Sequence, residues 1–330
     1  TMQTKRNTAL EDKVFGLSDS ASDFEQVALE VFAFQFKHNL IYKSFCELQG
    51  KTSPQGLEEI PFLPIGFFKS KKIIASGLKV EQLFLSSGTT GQLRSQHPVA
   101  FTEVYQRSFF NGYIQLVGNP KDQVILALLP NYLEQGNSSL VFMVKELMTQ
   151  SANEVSGFYL NELSDLGCLI QSLKASGKKI VLFGVAYALL DFAALEPDLS
   201  GVTIIETGGM KGRRKELLKE ELHEALSSKM NSPSIYSEFG MTEMLSQAYS
   251  ATEQWFHTPN WLKIRIREVN DPFSYVTAGK TGGINVIDLA NIYSCSFFAT
   301  DDLGVIKNDC FKILGRFDNS DIRGCNLLVN

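Results

Sequence analysis

Between Leu85 and Gly91 the chain reads Leu-Ser-Ser-Gly-Thr-Thr-Gly, directly after the run Val80 to Leu85. An extended segment feeding such a loop presents many hydroxyls and backbone N–H groups, a surface that suits an anion such as phosphate. Gly88 and Gly91 let the backbone turn and come close to the anion, while Ser86, Ser87, Thr89 and Thr90 can donate hydrogen bonds. The Lys-Ser/Thr ending of a P-loop is absent. An ordinary Ser/Gly-rich surface loop has the same composition, so the stretch does not decide the matter alone.

Three later stretches carry further chemistry. Ser237-Glu-Phe-Gly-Met-Thr-Glu243 joins an aromatic, a glycine, a hydroxyl and a carboxylate after a β-like run; Phe239 could stack on a base, Thr242 could bond a phosphate and Glu243 could hold a hard cation such as magnesium. A helix cap with a solvated acid is the plainer alternative. Ala299-Thr-Asp-Asp-Leu-Gly304 places two acids before a glycine. A carboxylate there can accept from a diol such as ribose, although in isolation the segment reads as a β-turn. Gly315-Arg-Phe-Asp-Asn-Ser-Asp-Ile-Arg-Gly324 sets Arg316 and Arg323 among acids, a pattern otherwise typical of surface ion pairs.

The elements that must position these residues follow from periodicity. Phe24 to Phe36 has helical apolar spacing, with Ser22 or Asp23 placed to cap it. Prolines 61 and 64 keep Ile60 to Lys69 from being a long helix, so its apolar side chains pack as extended chain just before the loop. Thr102 is expected to cap a helix reaching about Val117. Strands at Gln123 to Leu129, Lys179 to Gly184 and Val202 to Glu206 then alternate with helices at Ser138 to Met148, Asn161 to Lys174, Ala186 to Leu195 and Arg214 to Lys229, with Gly177 as a stop. That alternation predicts an α/β fold with a largely parallel sheet covered on both faces. From Trp261 onward short β-like runs (Leu262 to Val269, Gly283 to Leu289, Asn291 to Phe298, Lys312 to Leu314) predict a smaller β subdomain.

Composition narrows the function. The 330 residues are 44% hydrophobic and 20% charged, enough apolar content for one large core or two closely packed ones. A net charge of −5 argues against general nucleic-acid binding, and the short run Lys69 to Lys72 reads as a solvated loop. The absence of a spanning apolar stretch or apolar leader leads us to expect a cytoplasmic protein. Five cysteines at irregular spacing, with four histidines, suggest neither a disulfide framework nor a zinc site. Cys168, among Leu166, Leu169 and Ile170, is expected to be an inert core residue.

Taken in order, SSGTTG, Thr207-Gly-Gly209, EFGMTE, the segment Ala278 to Val286 (AGKTGGINV), TDDLG and GRFDNSDIRG resemble the motif series of the adenylate-forming superfamily: acyl-CoA synthetases, adenylation domains and luciferases. Within it the chain most resembles LuxE-type acyl-protein synthetases, including the segments IPFLPIGFFKS and SDIRGCNLL; phenylacetate-CoA ligases come next. The resemblance covers residues 24 to 330. It implies the large N-terminal domain of the adenylate-forming fold, without the mobile C-terminal domain of long members. Its expected division is a nucleotide- and acyl-binding core over 1–260, a smaller β subdomain completing the ATP site over 261–316, and a hinge-like stub over 317–330.

The resemblance also implies roles. Ser86, Ser87, Gly88, Thr89, Thr90 and Gly91 would hold the ATP phosphates, and Gly208 and Gly209 would line the adenine side. Phe239, Gly240 and Met241 would face adenine or the acyl chain. Thr242 would serve the phosphate and Glu243 the magnesium ion, while Asp302 and Arg316 would bind ribose and Asp318 would sit at the hinge. Two departures stand out: Asp301 replaces a glycine before the ribose acid, and Gln92-Leu-Arg94 replaces x-Pro-Lys, leaving Arg94 as a candidate cation. The reaction implied is ATP-dependent activation of a carboxylic acid, a fatty acid above all, with the acyl group passed to a thiol. Cys325, two residues from Arg323, is the expected acyl acceptor before transfer to an acyl-reductase or acyl-carrier partner. A CoA ligase and a non-catalytic acyl- or nucleotide-binding scaffold are the alternatives.

Overall fold

The computed structural model describes residues 4–87, 93–130, 136–208, 219–233, 235–250 and 254–317. Strands β1 (Leu63–Pro64), β2 (Gln82–Leu85), β3 (Gln96–Val99), β4 (Gln123–Leu128), β5 (Gly157–Phe158), β6 (Lys179–Val185) and β7 (Thr203–Thr207) precede β8 (Ile235–Phe239). They are followed by β9 (Ala248–Ser250), β10 (Phe256–His257), β11 (Leu262–Arg267), β12 (Gly282–Asp288), β13 (Phe297–Lys307) and β14 (Cys310–Arg316). The helices are α1 (Thr8–Phe15), α2 (Ala21–His38), α3 (Leu40–Leu48), α4 (Phe67–Ser70), α5 (Thr102–Leu116), α6 (Ser139–Ser151), α7 (Leu163–Ala175), α8 (Ala186–Ala193) and α9 (Lys219–Lys229).

One mixed sheet dominates. Its order is β11-β12-β13-β14-β10-β9-β8-β7-β6-β4-β5, with β1 added beside β13, while β2 and β3 form a separate hairpin. The members β5, β4, β6, β7 and β8 run parallel. From β8 through β9, β10, β14, β13 and β12 to β11 every pairing is antiparallel. The α/β architecture expected from the alternation is therefore present, and the antiparallel strands continue the same sheet.

Period-two alternation explains how the sheet takes helices on both faces. Along β4, Ile125 and Ala127 enter one core with Val104, Tyr105, Phe109 and Tyr113 of α5 and Met143, Val144 and Leu147 of α6. Val124, Leu126 and Leu128 enter the other, with Leu166 and Ile170 of α7, Leu189 and Phe192 of α8, and Leu222 and Leu226 of α9. Each fully buried aromatic or branched side chain contributes roughly 1.5–3 kcal/mol.

Six local expectations are corrected. Ser20, not Ser22 or Asp23, caps α2 by accepting from Asp23 N. Thr102 is the first helical residue of α5 and not its cap. Its N–H (2.8 Å) and hydroxyl (3.0 Å) both donate to the Glu81 carboxylate, which reaches across from the entry to β2. Cys168 is exposed: Leu166 and Ile170, four apart, take the buried face of α7, and position 168 lies about 200° around the helix from 166. Ala299 to Gly304 is part of β13 and not a β-turn, whereas residues 291–296 form turns that lead into it. Ile60 to Lys69 is extended only through β1 and then winds into α4. Helix α9 is described from Lys219, and 211–218 lie outside the described residues.

Because an acidic cap satisfies an orphan helix N–H, Glu81→Ala should lower stability by about 1 kcal/mol. Thr102→Ala should cost less, since the Thr102 N–H keeps its acceptor. Urea unfolding of the two variants checks this; an equal or reversed order would show that the carboxylate does not cap α5.

Candidate functional site

Two of the motifs lie where parallel strands end. Thr207 and Gly208 close β7, Phe239 and Gly240 close β8, and Thr207 stands opposite Glu238 in the pairing. Carboxyl ends of parallel strands are where open α/β sheets receive ligands. Gly208 has φ +68°, a left-handed conformation that glycine adopts without strain.

The chain after β8 is held by buried polar side chains that periodicity did not single out. Asp288, wholly buried at the end of β12, accepts from Leu245 N (2.7 Å), Ser246 N (3.1 Å) and Ser246 Oγ (2.5 Å). The Ser246 hydroxyl also meets Trp261 Nε1 (3.0 Å) and Ser108 Oγ (3.0 Å), tying the segment to α5. Asn291 Nδ2 donates to the Glu243 carbonyl (2.8 Å) and the Cys295 carbonyl (3.1 Å). His97 on β3 contacts the Thr242 carbonyl through Nδ1 (2.7 Å) and Asn291 Oδ1 through Nε2 (3.0 Å). Burial pulls this imidazole down to about 4, so the ring is neutral and carries one N–H, which it can give to one of these two acceptors.

Glu243 is itself buried. Burial pushes its carboxyl above the ordinary range, against the Ser95 hydroxyl bonded to it and the charges of Lys69 and Arg316. Ser95 also ties this acid to the glycine-rich loop, since Ser95 N donates to Ser86 Oγ (2.9 Å) and Ser86 N to the Ser95 carbonyl (3.0 Å). Arg94 is exposed and its Nε donates to the Ser86 carbonyl. Ser87 is exposed at the start of the loop, whereas Gly88, Thr89, Thr90 and Gly91 lie outside the described residues, as do Gly209, Asp318 and Cys325.

Asp302 on β13 stands opposite Arg316 on β14, and Arg316 Nε donates to Asp302 Oδ1 (3.2 Å). Burial raises the Asp302 carboxyl, with Arg316 opposing. Arg316 is 82% exposed in its side chain and acts on Glu243 as well, so the two motifs share one cation. Arg267 supports the same strand by donating to the carbonyls of Ile284 (2.9 Å) and Thr300 (2.7 Å). Gly283 makes room for it: a Cβ there would lie 2.4 Å from the guanidinium carbon.

The structure thus brings together Glu243, Asp302 and Arg316, joins Ser86 and Arg94 to them through Ser95, and places Gly208 beside β8. Met241 and Thr242 are half-buried, and Gly240 is exposed. The Phe239 ring is taken up by the core, edge-on to Phe311 (5.2 Å) and Phe256 (5.9 Å). Sequence reasoning missed His97, Asp288, Asn291 and Arg267; the available signal was a polar residue interrupting an apolar run, as in Ile284-Asn-Val-Ile-Asp-Leu-Ala-Asn-Ile292. Among the described residues no cluster of three or more His, Cys, Asp or Glu could ligate a metal, and no helix is long and apolar enough to cross a membrane.

The fold of this sheet and its helices is similar to that of solved adenylate-forming ligases. The open form of 2-hydroxyisobutyryl-CoA ligase, solved with 2-HIB-AMP and CoA, superposes with a TM-score of 0.65 at 12% identity, over 92% of this chain and 72% of that one. ATP-bound MatB from Rhodopseudomonas palustris gives a TM-score of 0.53 at 17% identity, over 72% of this chain and 48% of that one. Residues 9–330 match the family described as "Acyl-protein synthetase, LuxE", and the chain belongs to that family of enzymes. The long-chain-fatty-acid–luciferin-component ligases of Vibrio harveyi and Aliivibrio fischeri are 24% and 23% identical to it, each over 91% of this chain and 85% of the relative.

Glu238 yields a test of the electrostatics. Burial, then repulsion from Glu206, pushes its carboxyl up to about 8, with Lys219 opposing. The folded state therefore keeps this proton while the unfolded chain loses it near the ordinary value, so stability falls as pH rises from about 4.5 to about 8. Glu238→Gln should remove that component. Its Tm should match wild type near pH 4 and exceed it by roughly 2–4 °C at pH 8.5. Parallel pH profiles would show that Glu238 is not held neutral.

Proposed function

We propose that this enzyme activates a long-chain fatty acid with ATP to an acyl-adenylate and passes the acyl group to a protein thiol. The observation that carries the reading is the convergence of Glu243, in the segment after β8, with Asp302 of β13 and Arg316 of β14, in a chain of the acyl-protein synthetase family. In this reading residues 1–260 form the nucleotide- and acyl-binding core, 261–316 complete the ATP site, and 317–330 form a hinge-like stub.

The first step joins two anions. A carboxylate oxygen attacks the α-phosphorus, the bond from that phosphorus to the bridging oxygen breaks, and pyrophosphate leaves. No general base is needed, because the acid is already ionised; the protein's task is alignment and charge neutralisation. Ser86 to Gly91 hold the phosphates, with Arg94 securing the loop at Ser86 and adding charge. Asp302 accepts from the ribose hydroxyls beside Arg316, while Gly208, Gly209, Gly240 and Met241 line the adenine and acyl side. The Phe239 ring, packed in the core, shapes that wall from behind. The Thr242 hydroxyl and the Glu243 carboxylate are hard oxygen donors, and a buried carboxylate raised by desolvation fits a magnesium ion that keeps most of its own waters and phosphate ligands. That ion would neutralise phosphate charge. In the second step a thiolate attacks the acyl carbonyl and AMP leaves. Cys325 is the proposed acceptor, handing the acyl group to a reductase or carrier partner.

Acid-dependent exchange of labelled pyrophosphate into ATP, over a panel of aliphatic and aromatic acids, tests the activation step; wild type should exchange best with long aliphatic acids, and silence with all of them would remove the reading. Asp302→Ala should weaken ATP binding about ten- to a hundredfold by calorimetry, the effect of losing a charge-assisted hydrogen bond. Affinity unchanged in that variant would take ribose binding away from Asp302.

The acceptor is tested separately. With ATP and labelled fatty acid, the denatured protein should retain label that neutral hydroxylamine releases. Cys325→Ser should abolish this thioester and keep pyrophosphate exchange. Cys310→Ser, which removes the thiol beside His257 (3.4 Å), should keep both. A thioester persisting in Cys325→Ser, or ready acylation of CoA with no protein label, would favour a CoA ligase.

A further inference from the structure

Charge around Glu243 is unevenly committed. Arg316 donates to Asp302, Arg267 is spent on backbone carbonyls and Asn285, and Arg94 donates to the Ser86 carbonyl. Lys69 differs from all three. Its side chain is exposed and forms no ion pair or side-chain hydrogen bond with another described residue, although its charge acts on Glu243.

The position of Lys69 is fixed by its neighbours. β1 pairs in parallel with β13 at Leu63–Phe298 and Pro64–Ala299, and Ile65 N donates to the Ala299 carbonyl (2.9 Å). This fastens the start of α4 to the strand that carries Asp302 three residues on. The Phe68 ring, fully buried, stands edge-on to Phe298 (5.9 Å) and to His97 (5.9 Å), the imidazole bonded to the Thr242 carbonyl. One residue beyond that anchor, Lys69 extends from a helical turn held on one side by Phe298 and Ala299 of β13 and on the other by His97 of β3. The apolar part of Ile60-Pro-Phe-Leu-Pro-Ile-Gly-Phe-Phe-Lys69 serves as the mount, and the lysine is the part that faces solvent.

We propose that Lys69 is a catalytic residue that contacts the polyphosphate of the bound nucleotide during acyl-adenylate formation. The proposal rests on the reading of this site as the ATP site. A lysine ammonium is a compact charge with three donors, suited to a phosphate whose negative charge grows as pyrophosphate departs. An uncommitted side chain on a rigid mount meets that need without first breaking an ion pair.

The test uses the whole chain and acid-dependent pyrophosphate exchange with a long-chain saturated fatty acid, ATP being varied. Lys69→Ala should lower kcat/KM for ATP at least tenfold with Tm unchanged. Lys69→Arg should recover most of the loss, and the neighbouring Lys71→Ala should stay within twofold of wild type. Lys69→Gln provides a second neutral variant should the alanine protein fold poorly. Exchange within twofold of wild type in both neutral variants overturns the proposal, as does a loss that tracks a lowered Tm and is not recovered by arginine. Wild type silent toward every acid would overturn the parent reading and this one together, a result distinct from active wild type with active Lys69→Ala.

Discussion

Asp288 is a carboxylate sealed inside the protein, and the hydrogen bonds it receives from Leu245 and Ser246 hold the chain immediately after Glu243 in place. A buried acid is costly unless its lone pairs are met, and its carboxyl is raised by burial even with these donors. That cost makes the arrangement specific: the loop cannot shift without stripping Asp288 of its partners. Asn291 and His97 then take the carbonyls of Glu243 and Thr242, so the Thr242-Glu243 segment is held from behind by β12, by the turn before β13 and by β3. Since β3 follows the glycine-rich loop, the same lattice sets the distance between the loop and the acid.

Two further acids, Glu243 and Asp302, are raised by burial and opposed by nearby cations. Their charge is underneutralised within the protein itself. A cation or a set of hydroxyl donors brought to these acids would relieve that strain and would couple binding to their protonation. Raised carboxylates are a signature of function more than of stability, and here they coincide with the motif residues.

Much of the fold was legible because β4 and β6 are nearly continuous apolar runs, as strands covered on both faces must be. Site residues were legible in their order along the chain, which linked stretches that were individually ambiguous. What failed was local composition against tertiary pairing. Thr300-Asp301-Asp302-Leu303-Gly304 has the composition of a turn, yet pairing of Asp302 with Arg316 and of Leu303 with Gly315 keeps it in a strand. Gly304 is there for space: a Cβ would come within 2.8 Å of Ile284 and of the Lys312 carbonyl. Cys168 failed for a simpler reason, since apolar neighbours in sequence do not define a helix face. His97, Asp288 and Asn291 were illegible because their meaning lies in partners up to 194 positions away.

β8 shows how one strand serves two environments. Ser237 points to the face where Glu206 meets Lys219 (3.2 Å) and the Ser237 hydroxyl (3.1 Å), a charged cluster that fastens α9 to the sheet. Glu238 points to the opposite face, where Tyr105 and Tyr249 feel its charge and where its own carboxyl is held neutral to about pH 8. Gly240 follows on that same face, and a Cβ there would stand 2.2 Å from Glu238 Oε1. A neutral acid beside tyrosines can lie against a hydrocarbon chain without bringing a bare charge to it, whereas an ionised one would oppose apolar burial. The repulsion from Glu206 across the strand thus has a consequence on the other face: it helps keep Glu238 protonated, so that this face carries no bare carboxylate below about pH 8.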